Sequence, residues 1–211
     1  MRNVVTLILL MFDLEAGAAS AYWTGIYLQN NDGLNDTREY SLGADICGEN
    51  GAYTWIHTAM YGHMENGNFH LKQMDFSWES MNPTFNWWAI VVYGEIVNEA
   101  TFHDATKQVE LFGGNEHHTG GTPVENPDDF YMAFKASEVL LEGGDYVVGQ
   151  SWYGWVHVSV DDSLNMTLLG EGINLYAGAV TVGAIPEPSS ALLLLVGGAV
   201  LGLRRRGGKH D

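Results

Sequence analysis

The chain has 211 residues, enough for one sizeable core, and 26 acidic against 9 basic side chains give it a formal net charge of −17. That charge excludes nucleic acid as a partner, because a polyanion is bound by basic groups that displace its counterions. The single cysteine, Cys47, excludes an internal disulfide, and its expected place is that of a small apolar residue in the core.

The chain opens with "MRNVVTLILLMF", one positive charge followed by an apolar stretch from Val4 to Phe12. "AGAASA" follows after Asp13 and Glu15. Its small residues, with Ala19 and Ala21 at the small-x-small positions, predict a secretory signal peptide cut after Ala21. Such a leader implies the Sec translocon and a signal peptidase as partners. The body then runs over 22–185, with 22 acids against four bases (Arg38, Lys72, Lys107 and Lys135) and a net charge of −18.

The body reads as β throughout, in short apolar and β-branched runs separated by Gly, Asn and Asp. The predicted strands are 22–28, 38–43, 52–61, 68–77, 84–97, 107–112, 130–136, 145–151, 153–160, 163–169 and 173–182. "NNDG" at 30–33 and "ENGN" at 65–68 predict hairpin turns, since Asn and Gly accept positive φ. Asp161, Asp162 and Ser163 predict a third. In "WVHVSV", Val156, Val158 and Val160 fall on one face and Trp155, His157 and Ser159 on the other. The stretch 113–129 is expected to be one long irregular loop, and "ASEVLLEGG" at 136–144 one short turn. The fold class predicted is all-β, an antiparallel sandwich or jelly roll in a single domain.

Catalytic motifs are absent from the chain. There is no Gly-x-Ser-x-Gly elbow, phosphate loop, dinucleotide fingerprint or His-Glu-x-x-His; "GQSWYG" at 149–154 misses the elbow and is expected in a strand hairpin. Glu95 and Glu99 are a candidate carboxylate pair for glycoside hydrolysis, set against ordinary solvated acids. "LQNNDGLNDTRE" places Asn30, Asp32 and Glu39 at the third, fifth and twelfth positions of a calcium loop. Leu28 occupies the first position, where an oxygen is needed, so a polar hairpin tip is the competing reading. Asp128 and Asp129 are a second oxygen-rich candidate; no other cofactor is expected. His57, His63, His70, His117 and His118 have no zinc spacing. Seven tryptophans form the richest feature of the body. In the pair Trp87 and Trp88 one ring should face the core and the other outward, and Trp88 and Trp155 are the candidates for stacking on a sugar.

The chain ends in "AIPEPSSALLLLVGGAVLGLRRRGGKHD". The apolar run 191–203 would reach roughly 20 Å as a helix, short of the roughly 30 Å hydrocarbon core, and it predicts a short membrane helix. Arg204, Arg205 and Arg206 then favour the cytoplasmic side and leave the body across the inner membrane. Pro186, Glu187 and Pro188, the apolar run and the arginines together with the leader resemble bacterial PEP-CTERM proteins; the resemblance covers about the last 26 residues. "YGWVHVSVDD" at 153–162 is similar to a strand often found ahead of such tails. The resemblance implies a precursor held transiently in the membrane and processed near 186–188 by an exosortase, with the product going to the envelope, the exterior or an exopolysaccharide matrix. The function expected is therefore that of a secreted envelope or matrix protein with a non-catalytic β-domain. The alternative is a carbohydrate-binding module for exopolysaccharide, and the third reading is a glycan-active hydrolase.

Overall fold

A computed structural model of the chain describes residues 21–32, 37–48, 53–74, 86–112, 120–142, 145–175 and 178–184. The fold is all-β. In chain order its strands are β1 (Tyr22–Trp23), β2 (Tyr27–Asp32), β3 (Thr37–Cys47), β4 (Tyr53–Glu65), β5 (Asn68–Met74), β6 (Asn86–Val91), β7 (Ile96–Val97), β8 (Glu110–Phe112) and β9 (Thr122–Val124). There follow β10 (Phe130–Glu142), β11 (Asp145–Val160), β12 (Met166–Ile173) and β13 (Val180–Thr181). A seven-stranded sheet runs β1-β3-β4-β5-β8, with β2 also on β3 and β9 also on β5. A four-stranded sheet runs β12-β11-β10-β6, and β7 pairs with β13 in a two-stranded strip. All pairings are antiparallel except β5 with β8, which is parallel and makes the larger sheet mixed rather than wholly antiparallel.

Three layers follow from how alternate residues are buried. The inner faces of the two large sheets close on one core that includes Tyr40, Leu42, Ile56, Met60, Trp88 and Trp152. Each such side chain taken from water contributes roughly 1.5–3 kcal/mol. The other face of the four-stranded sheet carries a second core, in which Ala133, Tyr153 and Trp155 meet Val97, Phe102, Val180 and Val182. The alternation expected in "WVHVSV" is present, with Val156, Val158 and Val160 in the first core and Trp155 in the second. The middle of the four-stranded sheet is thus covered on both sides.

Several predicted boundaries are corrected. The run 22–28 breaks at Gly25, whose φ of 80° ends β1 and turns the chain into β2. The run 84–97 is two strands with a turn between them, and Glu99–His103 is a 3₁₀ turn capped by Asn98. β9 lies within the stretch expected to be irregular, and β10 runs straight through the turn expected at 136–144. The largest correction is β11, one strand where two were predicted with a hairpin at 149–154. Gly154, at the end of the predicted hairpin, pairs with Phe134 on β10, whose ring fills the space a Cβ would take. This glycine marks a close approach inside a strand rather than a turn. The hairpin at 65–68 is as expected, with Asn66 and Gly67 at φ 52° and 82°; the residues 33–36 of the first predicted turn lie outside the described ones.

Side chains bridge the sheets at their open edge. The Asn30 amide donates to Met166 O at 2.9 Å and accepts from Met166 N–H at 2.7 Å. The Tyr40 hydroxyl donates to Leu164 O at 2.8 Å, and Ile26 N–H donates to Glu171 Oε2 at 2.6 Å. Together these tie β2 and β3 to the β11–β12 hairpin.

Gly154→Ala should destabilise the domain by about 1–3 kcal/mol, the cost of overpacking a filled core. Gly178→Ala is the comparison, strained at φ 112° but meeting only the Asn174 amide, at an ordinary contact distance of 3.8 Å. Urea unfolding followed by circular dichroism reads both, and a loss for Gly154→Ala no larger than for Gly178→Ala contradicts the packing account.

Candidate functional site

The carboxylates considered for catalysis are engaged in structural contacts. Glu95 accepts from Lys107 Nζ at 2.6 Å and from Val92 N–H at 3.2 Å. Asn98 starts the 3₁₀ turn by accepting from Ala100 N–H at 2.9 Å, which places Glu99 over the outer face of the four-stranded sheet. There Glu99 accepts from Lys135 Nζ and from the Tyr153 hydroxyl, each at 2.7 Å. Burial pushes the Glu99 carboxyl up, but the bonds from Lys135 and Tyr153 and the charges of Lys135 and His103 outweigh it, so it sits below its ordinary value. A general acid needs the opposite shift. Glu99 is held ionised, as one end of a clamp on the second core.

Glu171 behaves differently. Burial pushes its carboxyl above the ordinary value, and the hydrogen bond from Ile26 N–H opposes this only in part. Its other oxygen stands 2.8 Å from where a Cβ on Gly25 would be, so glycine makes room for it. It is a seam between β12 and the β1–β2 turn.

The calcium candidates do not converge. In the β2–β3 register Asn30 pairs with Tyr40 and Asp32 with Arg38, whereas Glu39 pairs with Asn31. Side chains alternate between faces, so Glu39 points to the opposite side of the sheet from Asn30 and Asp32. Asn30 is taken up by Met166, and Asp32 bonds Arg38 at 2.7 Å. Glu39 accepts from the Tyr61 hydroxyl at 2.9 Å. Asp129 contacts His157 Nε2 at 2.5 Å, and that ring stacks on Tyr131 at 4.2 Å. Among the described residues no three of His, Cys, Asp and Glu are grouped to hold a metal ion. His63 and His70 are cross-strand neighbours with rings 5.6 Å apart, while His117 and His118 lie outside the described residues.

The tryptophans proposed to face outward face inward. Trp88 is 1% exposed and packs on Phe134 at 5.4 Å in the first core, and Trp155 is 4% exposed in the second. The strip of β7 and β13 covers the face on which Trp155 lies. Trp78 and the side chain of Trp87 fall outside what is described.

Four exposed aromatics gather elsewhere, on the outer face of the seven-stranded sheet, while Tyr93, 70% exposed, stands apart on the turn between β6 and β7. Tyr22 is 47% exposed, Tyr27 51%, Tyr53 48% and Trp55 58%. Tyr22 and Tyr53 both pair with Cys47, Trp55 pairs with Asp45, and Tyr27 pairs with Gly43, which in turn pairs with His57. Directly paired residues share a face, so these side chains form three successive rows across β3. Tyr27 lies down over Gly43, occupying the space of the missing Cβ, and the Tyr53 hydroxyl donates to Asp45 Oδ1 at 2.7 Å. The next polar rows carry Gln29, whose amide donates to Asn31 at 2.8 Å, and Asn31, which donates to Ser41 at 3.0 Å. The alternation Tyr53, Ile56, Trp55 and Thr54 was readable in "YTWIHTAM" as two faces. Which face would be covered by a second sheet was not.

A cavity of about 450 Å³ opens where β8 and β9 flank β5, lined by Gln73, Trp88, Gln108, Glu110 and Thr122 among others. The hydrogen bonds that can be named there stitch its own walls. Thr122 Oγ1 donates to Gln108 O at 2.9 Å and accepts from Glu110 N–H at 2.8 Å, and Glu110 accepts from Gly121 N–H at 2.8 Å. Among the described residues that line it, no nucleophile stands beside a base.

The Glu171 seam has a pH signature. A carboxyl with a raised folded-state value contributes stability that is full below the ordinary value of 4.5 and is lost as pH rises through the raised value. Glu171→Gln keeps an acceptor for Ile26 N–H without the charge. It should therefore melt higher than the parent at pH 7 and alike below about pH 4.5; a lower melt at pH 7 contradicts the assignment.

No family model, no curated protein and no solved structure matches this chain.

Proposed function

We propose that the chain is a secreted precursor, held in the inner membrane by its C-terminal segment and processed by an exosortase, with a non-catalytic β-domain as the part delivered to the envelope or extracellular matrix. The observation that carries this reading is the order at the C-terminus: Pro186-Glu187-Pro188, the apolar run 191–203, then Arg204, Arg205 and Arg206. These residues and Ala19 lie outside the described ones. Among the described residues no helix is long and apolar enough to cross a membrane.

The fold supports the reading at both junctions. β1 begins at Tyr22, directly after Ala21, and β13 ends at Thr181, shortly before Pro186. Val182 is pinned to Glu95 and Gly94 by backbone bonds of 2.8 and 3.0 Å, and Ala184 N–H closes a turn on Thr181 O at 3.1 Å. Cleavage after Ala21 and near 186–188 would leave every strand of the three layers intact. The ion-paired Glu95 and Glu99 support a domain without hydrolytic chemistry, since both carboxylates are spent on Lys107 and Lys135.

Replacing Arg204, Arg205 and Arg206 by neutral residues should disturb the orientation of the tail, because flanking cations hold that end in the cytoplasm. Replacing Pro186, Glu187 and Pro188 by alanine should leave insertion intact and block processing. In cells with an exosortase that variant should accumulate as a longer, membrane-associated form on fractionation and immunoblotting. Release and trimming at the parent's rate overturns the proposal.

A further inference from the structure

The geometry points to the outer face of β1–β4 as a binding platform for an uncharged polysaccharide, with Trp55, Tyr27, Tyr53 and Tyr22 as its stacking surface. This goes beyond the sorting reading and does not depend on it. Four aromatic side chains, each about half exposed, stand in three adjacent rows over one strand. With strands ~4.8 Å apart and ~6.8 Å between successive same-face residues, they pave a patch of roughly 10 by 13 Å. A grouped exposed apolar patch of this kind marks an interaction site, whereas single exposed apolar residues are ordinary.

Two of the four rings are held in place by the strand beneath them. Gly43 lets the Tyr27 ring lie against the sheet, and Asp45 draws the Tyr53 hydroxyl down. A ring held against the sheet, as that of Tyr27 is, presents a π-face outward at little further cost in side-chain entropy. That face suits the C–H-rich side of a pyranose ring, and the hydroxyls around the sugar's rim meet the adjoining Gln29, Asn31 and Ser41 row.

Charge selects among flat apolar-faced partners. The patch holds Asp45, with Glu39 in the neighbouring polar rows, and the body around it carries a net charge of −18. An anionic polysaccharide, an anionic lipid surface and a second copy of this acidic domain are all repelled. An uncharged glycan is not.

The test uses the full-length chain and two neutral probes, amorphous cellulose and insoluble β-1,3-glucan, beside an alginate gel as the anionic one. The parent should be retained on at least one neutral polymer. Trp55→Ala and Tyr27→Ala should each weaken retention at least tenfold, and Trp55→Phe by less. Leu169→Ala, at a site equally exposed but on β12, should bind as the parent does. An unchanged melting temperature shows that the variants are folded, as expected for side chains so exposed. Absence of retention on both neutral polymers overturns the proposal, as does equal retention of Trp55→Ala or preference for alginate. A dimer in light scattering that Trp55→Ala dissolves also overturns it, by assigning the face to a second copy.

Discussion

The middle of the four-stranded sheet is buried on both faces, and most features of this protein follow from that. Along β11, alternate side chains feed two different cores, Trp152 and Val156 into one and Tyr153 and Trp155 into the other. A strand in that position cannot shift by one residue without exchanging the two sets. Over residues 152–156 it also has no solvent face on which to place bulk, so space is made locally by glycine. Gly154 accommodates Phe134, and Gly172 accommodates the Trp155 indole, whose nitrogen lies 2.6 Å from the place of the missing Cβ.

Among the described residues, the second face is covered by short elements: two two-residue strands, β7 and β13, and the 3₁₀ turn at Glu99–His103. Such pieces have little stability of their own. They are fixed by side chains reaching down to the sheet, above all Glu99 to Lys135 and Tyr153, and by Glu95 to Lys107. The candidate catalytic carboxylates are in this way part of the fastening of the third layer.

The few cations of the body are all committed in the same manner. Arg38 meets Asp32, Lys72 meets Glu110, Lys107 meets Glu95 and Lys135 meets Glu99. Exposed pairs contribute little to stability. Their consequence here is electrostatic, since the four bases are neutralised locally and the excess of carboxylates is left to set the field. An acidic surface with one aromatic patch favours a neutral, C–H-rich partner over a charged one.

The alternation of side chains determined the all-β class, the two faces of "WVHVSV" and the turn at 65–68, because these depend on neighbours in the chain and on the period of a strand. The length of β11 was not legible, because the hairpin expected at 149–154 is overridden by pairing along β10, a strand from another part of the pattern. Nor was the division of tryptophans into hidden and exposed. Trp155 and Trp55 both sit on strands with aromatic or histidine neighbours at period two, and nothing in either strand says whether another layer lies above. That was decided by β7 and β13, which come from distant parts of the chain and cover Trp155, while the rows around Trp55 keep about half their surface in water. Burial is a property of two surfaces brought together, and a strand carries the pattern of only one.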